Sequence, residues 1–126
     1  MIKEQKLINH VLEDVKKIEK VNAVFLFGSY AKGTDKPYSD IDICVLSEKE
    51  LTKNERTEIL SNGTDKIDIS IFQDLPLLVQ HRIIKEGKIL LNRNELFLHR
   101  TKTKIIREYL DFKHIIDRHV ERVLGD

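Results

Sequence analysis

Two aspartates, Asp40 and Asp42, flank a single isoleucine at the head of an apolar run. If that run is a strand, side chains two apart leave the same face, while Ile41, Ile43 and Val45 leave the other and enter a core. Two carboxylates held side by side repel one another unless a cation lies between them. Mg²⁺ is the natural choice, because it prefers hard oxygen ligands and keeps positions open for substrate phosphates. Asp68 is a third acid. It alternates with Ile67, Ile69 and Ile71 in the segment KIDISIF. If the two strands are neighbours, three carboxylates converge. That is enough ligand for two Mg²⁺ ions about 3.5–4 Å apart, the arrangement that stabilises both the attacking and the leaving oxygen in nucleotidyl transfer.

Gly28 and Ser29 follow directly on another apolar run, Val21 to Phe27. A glycine at that corner lets backbone approach a phosphate closely. Backbone N–H groups and the Ser29 hydroxyl are then placed to bind triphosphate oxygens. Lys32 adds a cation and Gly33 a second flexible point. One loop would hold phosphates and the strand after it would hold metal.

Other readings of these residues are weaker. D-x-D alone is as often a solvated turn as a site, and the distance to Gly28-Ser29 and the later Asp68 decide against that here. A calcium loop fails because Ile41, Ile43 and Cys44 occupy positions that need oxygen ligands or glycine. A P-loop fails because the lysine precedes Gly33 rather than following it, and Pro37 and a new strand arrive too soon. The five histidines, His10, His81, His99, His114 and His119, show no metal-ligand spacing. Cys44 reads as a small buried hydrophobe.

The elements that must position these residues are legible from periodicity. Leu7, Ile8, Val11, Leu12, Val15 and Ile18 give a helical stripe across Ile2 to Lys20. Val21 to Phe27, Ile41 to Leu46 and Lys66 to Phe72 read as strands, with Gly28 to Ser39 a loop. A polar helix is expected over Leu51 to Leu60. Another is expected from about Leu75 to Glu86, with Asp74 as its N-cap and Gly87 past its end. Lys88 to Leu91 is a short edge strand. From about Glu95 to Leu124 apolar residues step by three and four, giving one or two helices. The expected architecture is α+β (mixed α/β), a three- to four-stranded sheet with helices on one face and a C-terminal helical segment.

Length and composition agree. The 126 residues make one domain, 1–126. A chain that is 40% hydrophobic and 34% charged is neither a membrane protein nor a disordered tail. With 22 basic and 21 acidic residues the net charge is +1, so no overall field favours nucleic acid or an acidic membrane. One cysteine fits a reducing compartment. With no apolar run near the roughly 18 residues of a spanning helix and no apolar signal region, a cytoplasmic protein is expected.

Gly28-Ser29, ten intervening residues, then Asp40-Ile41-Asp42 resembles the signature of the nucleotidyltransferase superfamily that includes DNA polymerase β. The fuller string GSYAKGTDKPYSDIDICV most resembles the minimal nucleotidyltransferases, the MNT antitoxins encoded beside a HEPN-domain partner. The segment REYLDFKHII resembles their C-terminal helix. The resemblance implies a small polymerase β-like fold. It implies an enzyme that uses ATP and Mg²⁺ to transfer AMP to a tyrosine of a HEPN ribonuclease toxin. Asp40 and Asp42 would bind both metals, and Asp68 would bind the catalytic metal and help deprotonate the acceptor. Gly28, Ser29, Lys32 and Gly33 would hold the triphosphate. Many relatives carry Arg where this chain has Lys32, which keeps the charge but loses the two-pronged fork. Two alternatives stand beside this one: an antitoxin that neutralises by contact alone, and nucleotidyl transfer to a small molecule. The C-terminal stripe about residues 100–124, if it extends past the body of the domain, is the place where a partner would dock.

Overall fold

A computed structural model describes residues 2–28, 31, 33 and 40–125 of the chain. Ser29 and Lys32, with the rest of the expected loop from Thr34 to Ser39, lie outside the described residues.

Helix α1 spans Ile2–Val15. Its stripe buries Ile8, Val11 and Val15. The helix ends five residues before the expected Lys20, and residues 16–20 form turns. The guanidinium of Arg93 donates to the carbonyls of Lys16 and Ile18 there, and to that of Val21 just beyond. Carbonyls that would have continued the helical ladder instead face this arginine, and Ile18 still reaches the core.

Strand β1 (Val21–Phe27) and strand β2 (Ile41–Ser47) pair antiparallel. Helix α2 (Lys53–Leu60) follows. It opens on a capping box in which Thr52 Oγ1 accepts from Glu55 N–H at 3.2 Å and Glu55 Oε1 accepts from Thr52 N–H at 2.7 Å. Strand β3 (Ile67–Ile71) returns parallel to β2. A 3-10 turn (Phe72–Asp74) and Pro76 lead into helix α3 (Leu77–Glu86). Asp74, expected as the cap of α3, closes the 3-10 turn instead and accepts from Arg56 on α2. The fixed φ of Pro76 starts the helix in its place. Strand β4 (Lys88–Asn92) pairs antiparallel with the free side of β1. Helix α4 (Glu95–Leu124) is one continuous helix capped by Asn94, whose side chain accepts from Phe97 N–H at 3.1 Å. The strand order is β3-β2-β1-β4.

Side-chain alternation divides the core into two layers. On one face Val24, Leu26, Ile41, Ile43, Val45 and the three isoleucines of β3 pack against α1 and α2. On the other, Ala23, Phe25, Cys44 and Leu46 pack against Phe72, Ile83 of α3, and Leu98 and Ile105 of α4. Phe25 and Phe72 stack with centroids 6.2 Å apart. Helices therefore cover both faces and not the one face expected, with α3 and the C-terminal helix on the second, because β1 and β2 carry apolar side chains on both sides.

Candidate active site

The second face changes character along β2. Leu46 and Cys44 are buried under helices, whereas Asp42, two residues nearer the strand start, is only half-buried. Burial pushes the Cys44 thiol up to about 12, with the neighbouring Ser70 hydroxyl acting against it. Cys44 is therefore a packed thiol and not a nucleophile.

The β2–β3 register sets Asp42 directly beside Asp68, with Cys44 beside Ser70. Neighbouring strands lie about 4.8 Å apart, so the two aspartates share one face at one level. Asp40 is exposed and precedes β2. All three carboxylates act on one another at Asp42. Its carboxyl is raised above the ordinary carboxylate value, first by burial, then by the charge of Asp68, then by that of Asp40.

Gly28 closes the corner from the β1 side. Phe27 pairs with Asp42 across the β1–β2 ladder, so the next residue lies over the carboxylate. Gly28 has φ +76°, a conformation that costs an L-residue free energy. A Cβ placed there would collide with Asp42 Oδ2 and stand 3.3 Å from its Cγ. The backbone conformation favours glycine, and a Cβ would also push the Asp42 carboxylate aside. Gly33 also has positive φ, +72°, and among the described residues nothing lies within 4 Å of a Cβ placed there.

The structure therefore brings Gly28, Asp42, Asp68 and Asp40 to one end of the sheet. Among the described residues no three His, Cys, Asp or Glu side chains are drawn close enough to form a ready metal cage. Like charges at this separation push apart. The donors nonetheless suit a hard divalent cation. All are carboxylates, none is matched by a basic side chain in an ion pair among the described residues, and the raised carboxyl of Asp42 records an excess of negative charge that such a cation would offset.

Sequence reasoning missed Phe27. It is half-buried, on the same face as the acids and beside Asp42, and makes an apolar wall at the corner. No motif marks it, and only the alternation of β1 could have found it.

The sheet is mixed and carries acids at the β1–β2–β3 end, set against a glycine turn. The family described as Polymerase beta, Nucleotidyltransferase matches residues 6–96, and the chain belongs to it. A Methanocaldococcus jannaschii protein, provisionally named a protein adenylyltransferase, is 41% identical over 73 residues, 58% of this chain and 57% of that protein. Protein adenylyltransferase MntA of Shewanella oneidensis is 29% identical over 91 residues, 69% of this chain and 63% of its own length. The chain thus spans about three-fifths of the curated relatives it matches. A crystal structure of a toxin–antitoxin with AMP-PNP is similar at TM-score 0.71 and 25% identity, covering 94% of this chain and 97% of that one. A structure of tri-AMPylated Shewanella oneidensis HEPN toxin in complex with MNT antitoxin is similar at TM-score 0.69 and 21% identity, covering 95% and 98%. The likeness to that second structure is one of fold. No helix among the described residues is long and apolar enough to cross a membrane.

Proposed function

We propose that the chain is a Mg²⁺-dependent protein adenylyltransferase that transfers AMP from ATP to a tyrosine hydroxyl of a HEPN ribonuclease toxin, and so acts as a cytoplasmic antitoxin. The observation that carries this reading is the register that sets Asp42 beside Asp68 with the backbone of Gly28 against Asp42. The names of the relatives, protein adenylyltransferases, and of the structural neighbours, toxin–antitoxin complexes, support it.

Asp40, Asp42 and Asp68 would hold two Mg²⁺ ions, which supply charge neutralisation for the triphosphate and make the acceptor hydroxyl more acidic. The turn at Gly28 and Gly33, the Ser29 hydroxyl and Lys32 bind triphosphate oxygens. In the transfer, the acceptor oxygen forms a bond to the α-phosphorus of ATP. The bond from that phosphorus to the bridging oxygen breaks, and pyrophosphate leaves in line. A phenol, with a pKa of about 10, is protonated at neutral pH. Asp68, exposed at the corner, takes part in removing that proton. Asp42, half-buried beneath Gly28, is the fixed point around which the other two acids act.

The test is transfer of label from α-phosphate-labelled ATP to a purified HEPN protein. Asp42→Asn should lower transfer by at least about a hundredfold, the scale of losing one preorganised charge-stabilising group, with no loss of melting temperature. Undiminished transfer contradicts the reading. The Asp40→Asn/Asp42→Asn double variant should also fail to protect cells that express the toxin. Full protection by it would establish neutralisation by contact alone.

A further inference from the structure

Helix α4 runs about 45 Å at 1.5 Å per residue, and only its first part lies on the body. Leu98 and Ile105 are buried. Tyr109 is half-buried, its ring stacked on His81 of α3 with centroids 3.6 Å apart. Beyond Tyr109 every described residue of the helix is exposed. The apolar pattern does not stop there. Ile105, Tyr109, Phe112, Ile116 and Val123 continue one face at alternating steps of four and three, with His119 filling the remaining step. That 3.5-residue seam is the pattern of helices that pair. Phe112, Ile115, Ile116, Val120 and Val123 are each 41–64% exposed. An amphipathic helix with its apolar face bare lacks the packing that supplies most helical stability.

We propose that this half of α4 pairs antiparallel with the same helix of a second copy of the chain. The charges beside the seam choose that occupant. Glu108, Ile115 and Arg122 lie seven apart on one flank, and Lys113 with Asp117 lies on the other. Among the described residues none of these four charged side chains has an ion-pair partner within the chain. Reversing a second helix about Ile115 sets Ile115 against Ile115 of the partner subunit. It sets Glu108 against Arg122 of the partner subunit, and Lys113 beside Asp117 of the partner subunit. Two-fold symmetry repeats both pairs. In the seam, Phe112 then falls between Ile116 of the partner subunit and His119 of the partner subunit, and Tyr109 falls between His119 of the partner subunit and Val123 of the partner subunit.

A parallel arrangement does not fit. The body already covers the seam side at Leu98 and Ile105, so two copies starting at the same level would collide. The antiparallel one puts the bodies at opposite ends and overlaps residues 108–122, about 22 Å of helix. A single helix pair of that length buries less than the roughly 800 Å² per partner of a standard interface. The dimer therefore forms as concentration rises and is not permanent. None of the acids at the sheet end is on α4, so the association leaves them free.

Sedimentation velocity of the full chain over rising concentration tests this. The mass should climb from 14.8 kDa toward twice that value. Ile116→Glu should hold it at the monomer. Glu108→Arg should weaken association at least about tenfold, and adding Arg122→Glu in the same chain should restore it, with circular dichroism confirming that each variant is folded. On mild oxidation Ile115→Cys should cross-link to a disulfide dimer and Val123→Cys should not. A mass that stays monomeric at every concentration overturns the proposal. So does a dimer indifferent to Ile116→Glu, preferential cross-linking through Val123→Cys, or protection of Phe112 and Ile116 only when a HEPN protein is added.

Discussion

The two faces of the sheet are built from the same strands and do different work. Along β2 the face under α1 and α2 carries Ile41, Ile43 and Val45, all fully buried. The opposite face carries Asp42, Cys44 and Leu46, and passes from a half-buried acid to packed core within three positions. The first face is stability throughout. On the second, α3 and α4 cover the Leu46 end and leave the Asp42 end open. The candidate corner lies where a core stops, beside packed neighbours. Asp42 and Asp68 therefore sit on ladder positions with fixed register, and Asp40 directly before the strand, which is the placement that keeps charged groups at the separations chemistry needs.

Adjacent residues on opposite faces should accordingly respond in opposite ways. Asp42→Asn gives the largest effect, the loss in AMP transfer of at least about a hundredfold already described, while thermal unfolding should show an unchanged or higher melting temperature. Ile43→Ala, one residue away, should cost about 2–5 kcal/mol of stability by leaving a cavity. Denaturant unfolding would measure it, and the folded fraction should retain its activity per molecule. If both substitutions behaved alike, the division between faces would be wrong.

Gly28→Ala probes the seam between the two roles. Positive φ and the collision with Asp42 should together cost about 1–3 kcal/mol, and transfer should fall as well because the carboxylate must move. Chemical denaturation and label transfer on the same preparation would show whether both losses occur. Thr52→Ala on α2 is a control far from the acids. It removes one side of the capping box and should cost about 1 kcal/mol in unfolding measurements, with activity intact.

The smallest effect is in pH dependence. The carboxyl of Asp42 is raised in the folded chain relative to the unfolded one. The folded state therefore holds more protons through the interval from the ordinary aspartate value up to the folded value. Stability from this group falls as pH rises through that interval, and the cost persists above it. Asp42→Asn should remove that cost, so the difference in unfolding free energy between variant and wild type should open just above the ordinary aspartate value and then level off. A difference that does not vary with pH would separate Asp42 from its acidic neighbours.

Much of this was legible in the chain. The alternation in DIDICV and KIDISIF announced which side chains share a face, and the glycine after VNAVFLF announced a corner. The register that sets Asp42 beside Asp68 was not legible, since period-two patterns give faces and not neighbours. Cover on both faces was missed, because the polar positions of β2 and β3 point to one open face. β1 has Val24 and Leu26 on one side and Ala23, Phe25 and Phe27 on the other, and a strand apolar on both sides needs packing on both. Arg93 left no signal. One arginine between β4 and α4 takes three carbonyls between the end of α1 and the start of β1, a contact across more than 70 residues that no local pattern encodes.

The central claim is that acids from two strands act as one site. Mn²⁺ is a paramagnetic stand-in for Mg²⁺, and its binding in the presence of ATP can be followed by electron paramagnetic resonance for the wild-type chain and for Asp68→Asn. The account predicts that Asp68→Asn weakens Mn²⁺ binding even though Asp40 and Asp42 are intact. Binding indistinguishable from wild type would contradict it.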